Sequence, residues 1–327
     1  MRSCVAVGWF MVGVAVQAMA GTLTVSVRNG AHARENVIVA QRMTHEWAAS
    51  AATAGLAERH PDGRFSPVPF AVDNTGEAPV LVWQMPGATA PDAVRRFEWR
   101  ADHMLRAAPG GDLTVSVDGS RILVANGYFR LAHPVRGRGG FPQDIEYVRS
   151  GHADPELYFL DRIVRKDADG RVMQVCANAC EDAAARVVFA SPLRVVVEVW
   201  TGFGPRAAET PGQPRAVYRY TYSAHSPVVQ VDARYLRTDD GPWRELHFLH
   251  LSRKEARYAR FVTGDAGGTH VLQPKGTRSR AVNGPQWAVM ADAADACGAG
   301  FEGAVCWDAS DEFVYYIRSG HMTWMGP

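Results

Sequence analysis

The stretch of residues 195–251 constrains the fold of this chain most, because it holds three strongly patterned β-segments in close succession. In each segment, large apolar or aromatic residues alternate with polar ones at period two, and this places the two sets on opposite faces of a strand. The middle segment carries a row of three tyrosines, Tyr218, Tyr220 and Tyr222. We expect the stretch to form the centre of a large antiparallel sheet.

The same alternation recurs along the chain and predicts an all-β protein. Short turn signals follow strand signals at Asn29-Gly30, Asp118-Gly119 and Asn126-Gly127. Such dipeptides favour tight hairpins, so the latter two indicate an antiparallel meander. The best helix candidate is residues 44–57 with Thr44 as the N-cap, although a glycine and the short length leave it marginal.

Composition predicts two domains. The chain has 327 residues, 47% of them hydrophobic, which is enough for more than one core. Residues 107–111 have the Pro- and Gly-rich composition of a linker. We therefore predict a small β-sandwich at 21–106 and a large antiparallel β-sandwich at 112–327. The last residues, which follow an aromatic strand signal, fit either a native end or the front part of a longer protein.

The first twenty residues resemble a secretory signal. Arg2 precedes a short apolar run, and Ala18-Met19-Ala20 fits a cleavage site. The run is too short to span a membrane, and no later segment approaches that length. We predict cleavage after Ala20 and a periplasmic or extracellular protein that has no membrane contact once the signal is removed.

Four cysteines remain after the predicted cleavage: Cys176, Cys180, Cys297 and Cys306. An even number in an oxidising compartment favours two disulfides, and the local pairing of each couple is the simplest connectivity. The alternative is a zinc site built from both couples, but the spacing of the second couple does not resemble a zinc knuckle.

Charge and missing motifs exclude several functions. The chain has 35 Lys and Arg against 34 Asp and Glu, a balance that argues against nucleic-acid binding. It has no serine-hydrolase elbow, phosphate-binding loop, zinc-protease motif or dinucleotide fingerprint. We predict no cofactor and no metal. Residues 73–76 carry oxygen ligands of the kind that calcium uses, but they are more typical of an Asx turn.

Three residues are candidates for catalysis. Glu245 and His247 lie two apart on one strand, so their side chains project side by side, as an acid and base pair acting on a sugar would. Tyr220 could donate a proton to a leaving group. The alternative is that Glu245 and His247 bond each other on a wet face, while the tyrosine row packs across strands.

Further residues are candidates for binding a saccharide. Arg136 and Arg138 lie on a glycine-rich loop and could hold a carboxylate in a bidentate way. The alternative is a solvated connection in which Asp144 pairs with one of the arginines. Aromatic rings with hydroxyl tips suit sugar stacking. The remaining candidates are Tyr128, Arg130, Tyr218, Tyr222 and Arg234.

Four segments carry a resemblance to a known family. They are N-G-Y-F-R-L at 126–131, G-G-F-P at 139–142, S-P-L-R-V-V-V-E-V at 191–199, and Y-R-Y-T-Y with the later S-P-V-V-Q-V. Together they resemble the antiparallel β-supersandwich of galactose-mutarotase-like proteins, and in particular the β-rich parts of exo-rhamnogalacturonan lyase-like enzymes. In that family an (α/α) toroid accompanies the sandwich, and this chain shows no helical repeat. No residue here matches a catalytic position of the family.

These observations lead to one main hypothesis and two alternatives. The chain is expected to be the β-sandwich portion of an exported polysaccharide lyase-like or related glycan-degrading enzyme, whose partner is a poly- or oligosaccharide that could contain uronate. If it is a lyase, Arg136 or Arg138 would neutralise the carboxylate, His247 would abstract a proton and Tyr220 would protonate the leaving oxygen. The alternatives are a non-catalytic carbohydrate-binding or scaffold module and a mutarotase-like epimerase.

Overall fold

The computed structural model describes residues 13–19, 22–100, 107, 110–149, 151–154, 157–159, 161–166, 169–209, 212–236 and 243–253, and seven further strands between residues 260 and 326. Side chains are described for most of residues 22–236 and for Leu246 and His247. Nearly all of the described elements are β-strands, so the prediction of an all-β chain is confirmed.

The predicted helix is present but much shorter than expected. Helix α1 comprises His45–Ala49, and the Thr44 hydroxyl accepts a hydrogen bond from the Trp47 N–H at 3.3 Å, as an N-cap does. A 3-10 turn at Ser50–Ala52 follows, and a strand begins at Gly55. The predicted N-cap is confirmed, whereas the predicted extension to residue 57 is wrong, because the chain turns back into the sheet there.

The first eight strands form two sheets around one core. The strands are β1 (Gly13–Met19), β2 (Thr22–Arg28), β3 (Arg34–Arg42), β4 (Gly55–Arg59), β5 (Phe65–Pro67), β6 (Phe70–Asp73), β7 (Val80–Thr89) and β8 (Val94–Arg100). One sheet has the order β1-β2-β8-β4-β5 and the other the order β3-β7-β6. Their apolar faces meet around Trp83, Phe97 and Trp99, which are fully buried.

Strand β1 lies within the predicted signal peptide. It pairs antiparallel with β2 along its whole length, from Gly13 opposite Arg28 to Met19 opposite Thr22. Cleavage after Ala20 stays a prediction. Cleavage there would remove β1 and leave β2, with its alternating buried residues, at the edge of the sheet.

Twelve strands follow up to residue 236. They are β9 (Thr114–Val117), β10 (Arg121–Ala125), β11 (Phe129–Pro134), β12 (Gln143–Tyr147), β13 (His152–Asp154), β14 (Leu157–Phe159), β15 (Arg162–Lys166), β16 (Val172–Cys176), β17 (Ala184–Ala190), β18 (Arg194–Gly202), β19 (Arg215–Ser223) and β20 (Val229–Leu236). Strands β9 to β13 form an antiparallel sheet in chain order, which confirms the meander. Strands β17 to β20 form a second sheet in chain order.

The last eight strands complete two more antiparallel sheets. They are β21 (Trp243–Arg253), β22 (Arg260–Asp265), β23 (Gly268–Leu272), β24 (Arg278–Ala281), β25 (Gln286–Ala291), β26 (Ala296–Phe301), β27 (Val314–Arg318) and β28 (His321–Gly326). One sheet has the order β16-β15-β21-β28-β27-β24, with β14 also paired to β21. The other has the order β23-β22-β25-β26.

The predicted central stretch forms β18 to β21, and its first three strands supply much of the second core. Val195, Val197 and Val199 of β18 are fully buried on the same face as the tyrosine row of β19. Residues from the β9–β13 sheet, including Ile122, Val124 and Phe129, pack against them in one cluster. The two sheets therefore face each other as a sandwich, and the tyrosines lie between them.

Polar contacts join the first eight strands to the β17–β20 sheet. The Arg194 guanidinium lies 3.0 Å from the Asp73 carboxylate, and both side chains are nearly inaccessible. The Arg219 guanidinium donates to the carbonyl and the hydroxyl of Thr75, at 3.0 and 2.7 Å. The turn that follows β6 is thereby held on the outward face of the sheet. The division into domains near residues 107–111 stays a prediction.

Candidate functional site

The predicted catalytic residues do not lie on an accessible face. Tyr220 is 1% exposed and His247 is 2% exposed, and the side chain of Glu245 lies outside the described residues. Burial raises the pKa of Tyr220 well above its ordinary value, so the phenol stays protonated. The expectation that Tyr220 and His247 face a substrate is corrected, because the two facing sheets enclose Tyr220 and both side chains are shielded from solvent.

Tyr218 lies in a buried polar network and not on a binding surface. Its hydroxyl donates to the Asp161 carboxylate at 2.8 Å, and the Tyr235 hydroxyl contacts the same oxygen at 3.2 Å. Asp161 is itself 1% exposed. Buried polar groups are costly unless they are hydrogen-bonded, and this network satisfies them. For Tyr218, cross-strand packing is therefore the interpretation that the structure supports, and the expected sugar contact is corrected.

Tyr222 is buried in a second network with His133. The His133 Nε2 atom lies 2.6 Å from the Tyr222 hydroxyl, and Nδ1 lies 2.8 Å from the Gly140 carbonyl. A carbonyl can only accept, so Nδ1 carries the proton and Nε2 accepts from the tyrosine. Burial lowers the pKa of His133 to about 4, which keeps the ring neutral. The network anchors the glycine-rich loop to the β17–β20 sheet.

The predicted arginines point to solvent and do not converge. Arg138 donates to the Gln143 side chain at 3.1 Å, and Arg136 forms an isolated β-bridge with Ala184. Arg130 lies 3.4 Å from Glu146, and Arg234 lies 2.7 Å from Glu77. Gly139 and Gly140 are buried, and a Cβ at Gly140 would meet the core residue Val199. A solvated structural corner is thus the better interpretation of the loop. Asp144 pairs with Arg121 at 3.5 Å.

The predicted local disulfide between Cys176 and Cys180 is not formed. Both are free thiols, and the Cys180 thiol donates to the Asp182 carboxylate at 2.8 Å. Burial raises the pKa of the Cys176 thiol. The pairing of Cys297 with Cys306 lies outside the described residues, because neither side chain is described.

The turn at residues 73–76 is an Asx turn, as the sequence favours. One oxygen of the Asp73 carboxylate accepts from the N–H and the hydroxyl of Thr75, at 3.0 and 2.6 Å. The other oxygen faces Arg194. Local hydrogen bonds and an ion pair account for this carboxylate without a cation.

One predicted residue, Tyr128, does line a cleft. The cleft has a volume of about 300 Å³ and lies between the β3 region and two turns of the β9–β20 part of the chain. Its lining residues are Glu35, Asn36, Asp112, Gly127, Tyr128, Arg149 and His225. Acidic, amide, basic and aromatic side chains therefore converge within a volume that fits a single sugar ring.

Asp112 builds one wall of the cleft by joining two distant turns. Its carboxylate oxygens accept from the N–H of Gly127 and the N–H of His225, both at 2.8 Å. The His225 ring lies 3.5 Å from the same carboxylate. A side chain at position 127 would start 2.9 Å from the carboxylate oxygen, so a larger residue there would have to displace the Asp112 carboxylate.

Asn126 fixes the same wall from behind. Its side-chain N–H groups donate to the carbonyls of Ser223 and Ser226, and its oxygen accepts from the N–H groups of Tyr128 and Phe129. Asn126 is 7% exposed, so these bonds are shielded from water. The backbone on which Tyr128 and His225 sit is consequently rigid.

The opposite wall carries a strained residue. Asn36 lies at a β-bulge between Glu35 and Val37 and has a φ of 52°, and its side-chain oxygen accepts from the Gly87 N–H at 3.0 Å. His225, across the cleft, has a φ of 53°. Six described non-glycine residues adopt this costly left-handed region, and two of them line the cleft.

The polar groups of the cleft are positioned for a ligand. The Arg149 guanidinium stacks on the Tyr128 ring, 3.9 Å from its centroid. Within the described part of the chain, neither Arg149 nor Glu35 has an ion-pair partner. These groups can donate to and accept from hydroxyls, while Asp112 is already committed to backbone N–H groups.

Local patterns did not indicate most of these residues. The sequence indicates a turn at Asn126-Gly127 and a break between strands at residues 225–227. It also shows that Tyr128 is an aromatic residue next to a turn. Asp112 and His225 meet across 113 positions of the chain. Period-two patterns describe one strand at a time and do not predict such pairs.

Comparisons with known proteins found a similar fold in solved structures but no similar sequence. No protein-family description matches the chain, and no curated protein sequence is detectably similar. The structure is similar to an α-mannosidase from Enterococcus faecalis V583, with a TM-score of 0.53 and 9% identity over 94% of this chain and 40% of that one. It is also similar to a glycosyl hydrolase family 38 protein from Enterococcus faecalis, with a TM-score of 0.51 and 9% identity over 92% and 40%. The chain thus spans less than half the length of these enzymes.

Proposed function

We propose that this chain is the β-sandwich part of an exported glycan-degrading protein and that it binds a saccharide without turning it over. The observation that carries the proposal is the cleft at Tyr128, where an aromatic ring, an unpaired carboxylate and an unpaired guanidinium, among the described residues, lie on a rigid frame. The fold likeness to part of two glycosidase chains supports a carbohydrate ligand.

Burial of the acid and base candidates supports binding over catalysis. The lyase and mutarotase hypotheses both depend on His247, which is 2% exposed, and the lyase hypothesis also depends on Tyr220, which is 1% exposed. General acids and bases must come within hydrogen-bond reach of the substrate. A lyase needs its arginines and its base to act on the same substrate. The arginines on the loop are exposed, but the buried base is out of the substrate's reach.

The charges of the cleft favour a neutral sugar over a uronate. Glu35 and Asp112 contribute two carboxylates, and Arg149 contributes one permanent positive charge. A ligand with its own carboxylate would meet repulsion from the two acids. Hydroxyl groups can accept from the guanidinium and donate to Glu35 without such a penalty.

The test is binding of purified protein to a panel of neutral and uronate-containing polysaccharides by affinity electrophoresis. We expect a neutral glycan to retard the protein, with no release of unsaturated ends or reducing ends. Replacing Tyr128 with Ala or Arg149 with Ala should lower the affinity about tenfold. Arg130→Ala is the matched control, because Arg130 lies on the same sheet but outside the cleft, and it should bind normally.

Two results would overturn the proposal. Failure of every glycan to retard the wild-type protein would remove the binding function. New unsaturated ends, seen as ultraviolet absorbance, would show turnover and restore the lyase hypothesis.

A further inference from the structure

The outward face of the β17–β20 sheet carries a row of alternating charges. Arg186, Glu198, Arg219 and Asp232 lie opposite one another in register on the four strands. Glu198 accepts from Arg186 at 2.7 Å and lies 3.4 Å from Arg219. This row forms a rigid, charge-balanced surface on the side of the sheet that faces away from the tyrosines.

Trp200 lies next to this row and is the exposed aromatic residue of the face. It is 46% exposed, although its indole N–H donates to the Glu198 carboxylate at 2.9 Å. Because Glu198 is two residues earlier on the same face of β18, the bond draws the indole along the strand and lays it over the sheet surface. A large aromatic surface is thus presented to solvent in a fixed orientation.

Glu198 is suited to holding the ring permanently. The residue is 9% exposed. Burial alone would raise its pKa, but the hydrogen bonds from Arg186 and Trp200 and the charges of Arg186 and Arg219 together lower it below the ordinary value. The carboxylate therefore remains ionised and keeps its bond to the indole over the whole neutral range.

The surroundings of Trp200 decide what it can bind. Its neighbours in register are Ala184 and Val217, which leave room beside the ring, and Arg234 follows one strand further on. Two strand spacings separate Trp200 from Arg234, about 10 Å, which two linked sugar rings can span. The Arg234 side chain is 62% exposed and is paired with Glu77.

We propose that this surface, centred on Trp200, is a second glycan-binding site, separate from the cleft. A pyranose ring would stack on the indole, and the next ring would bond to the Arg234 and Glu77 pair. The charged groups of this face are Arg186, Arg215, Arg219 and Arg234 against Glu198, Asp232 and Glu77, and most of them are paired with one another. Paired charges suit a neutral ligand rich in hydroxyls, whereas a charged partner would have to compete with the existing ion pairs.

The proposal rests on the proposed function, since it assumes that the ligand is a glycan. The two sites share none of their residues, because the cleft is lined by residues of the β3 region and of the turns near Asp112, Tyr128 and His225. The cleft holds about one sugar ring, whereas Trp200 is exposed on a sheet face that the turn at residues 73–77 covers in part. A long glycan could engage both sites at once and bind more tightly through avidity.

The test compares Trp200→Ala with Trp200→Phe and Tyr128→Ala, on a long neutral glycan that binds the wild-type protein and on its short oligosaccharides. We expect Trp200→Ala to weaken binding of the long glycan about tenfold and of the short oligosaccharides little, while Trp200→Phe, which keeps an aromatic ring but loses the bond to Glu198, weakens it less. Phe65→Ala is the matched control, since Phe65 is an exposed aromatic residue, 39% accessible, on a different sheet. Thermal unfolding confirms that each variant is folded.

Each outcome decides between the two claims. If the wild-type protein binds the long glycan and Trp200→Ala binds it equally well, the second site is wrong and the cleft stands. If Trp200→Ala loses binding while Tyr128→Ala does not, the second site stands and the cleft is wrong. If no glycan binds the wild-type protein, both claims fail together. Glycan-dependent protection of tryptophan fluorescence from a collisional quencher should be present in the wild-type protein and reduced in Trp200→Phe.

Discussion

Single residues in the second core carry polar chemistry that stabilises the fold. His133 is completely buried and uses both ring nitrogens, one toward Gly140 and one toward Tyr222. The bonds require one neutral tautomer, which desolvation also favours. The neutral ring therefore links a loop to a strand through its two hydrogen bonds. Protonation would create a buried charge, and neither bond partner is an anion.

Stability should fall in mild acid because of His133. Its pKa is about 4 in the folded protein against an ordinary 6.5, so between these values the unfolded chain binds the extra proton. Above pH 6.5 the neutral His133 makes its full contribution to the free energy of unfolding. As the pH falls toward 4, this free energy decreases by about 3 kcal/mol. Urea unfolding across this range should show that slope. In His133→Gln the free energy of unfolding should depend less steeply on pH, because one proton fewer is taken up on unfolding. An unchanged dependence would contradict the assignment.

At the scale of elements, the sequence predicts strands well and their faces poorly. The alternation at 195–236 correctly predicts β18, β19 and β20. Period two, however, separates two rows without saying which row faces inward, and tyrosine suits either side. Tyr218, Tyr220 and Tyr222 proved to be core, while Trp200, on the opposite row, proved to be exposed. Which row of side chains faces inward depends on where the second sheet lies, and no local sequence pattern describes that position.

The segment whose composition predicts a linker contains a sterically critical glycine. Gly111 has a φ of 115°, and a Cβ placed there would lie 2.0 Å from the Pro192 carbonyl oxygen. Gly111→Ala should therefore lower the free energy of unfolding by about 3 kcal/mol or more. Gly119→Ala is the control, since its φ is 66° with nothing within 4 Å, and it should cost about 1–2 kcal/mol. Equal losses in chemical denaturation would show that no steric contact exists at Gly111.

At the scale of the whole molecule, the turn after β6 joins the first eight strands to the β17–β20 sheet. Arg194 of β18 pairs with Asp73, Arg219 of β19 bonds to Thr75, and Arg234 of β20 pairs with Glu77. The three partners are alternate residues of one segment. The contact with Asp73 is buried, whereas the contact with Glu77 is exposed on both sides. This contact could not be predicted from the sequence, because its partners are more than 100 positions apart.

The buried pair should dominate this contact. Arg194→Ala leaves the Asp73 carboxylate, 2% exposed, without its guanidinium, so the free energy of unfolding should fall by about 3 kcal/mol. Arg64→Ala is the matched control, because the Arg64–Asp62 pair is exposed, and its stability should be unchanged within error. Guanidinium chloride would mask ion pairs, so urea denaturation is the appropriate measurement. Equal effects of the two substitutions would mean that the contact between the first eight strands and the β17–β20 sheet contributes little to stability.

The edges of the β17–β20 sheet bear on how the protein behaves at high concentration. Among the described strands, β17 and β20 end this sheet, and the start of β17 is already bonded to the loop at residues 135–137. An open edge can recruit a strand from another molecule. β17 is interrupted by a bulge between Val187 and Phe189, and β20 carries Asp232 and Arg234. A kinked edge and a charged edge both oppose the addition of a further strand. The same charges that flank Trp200 therefore also protect the sheet against self-association.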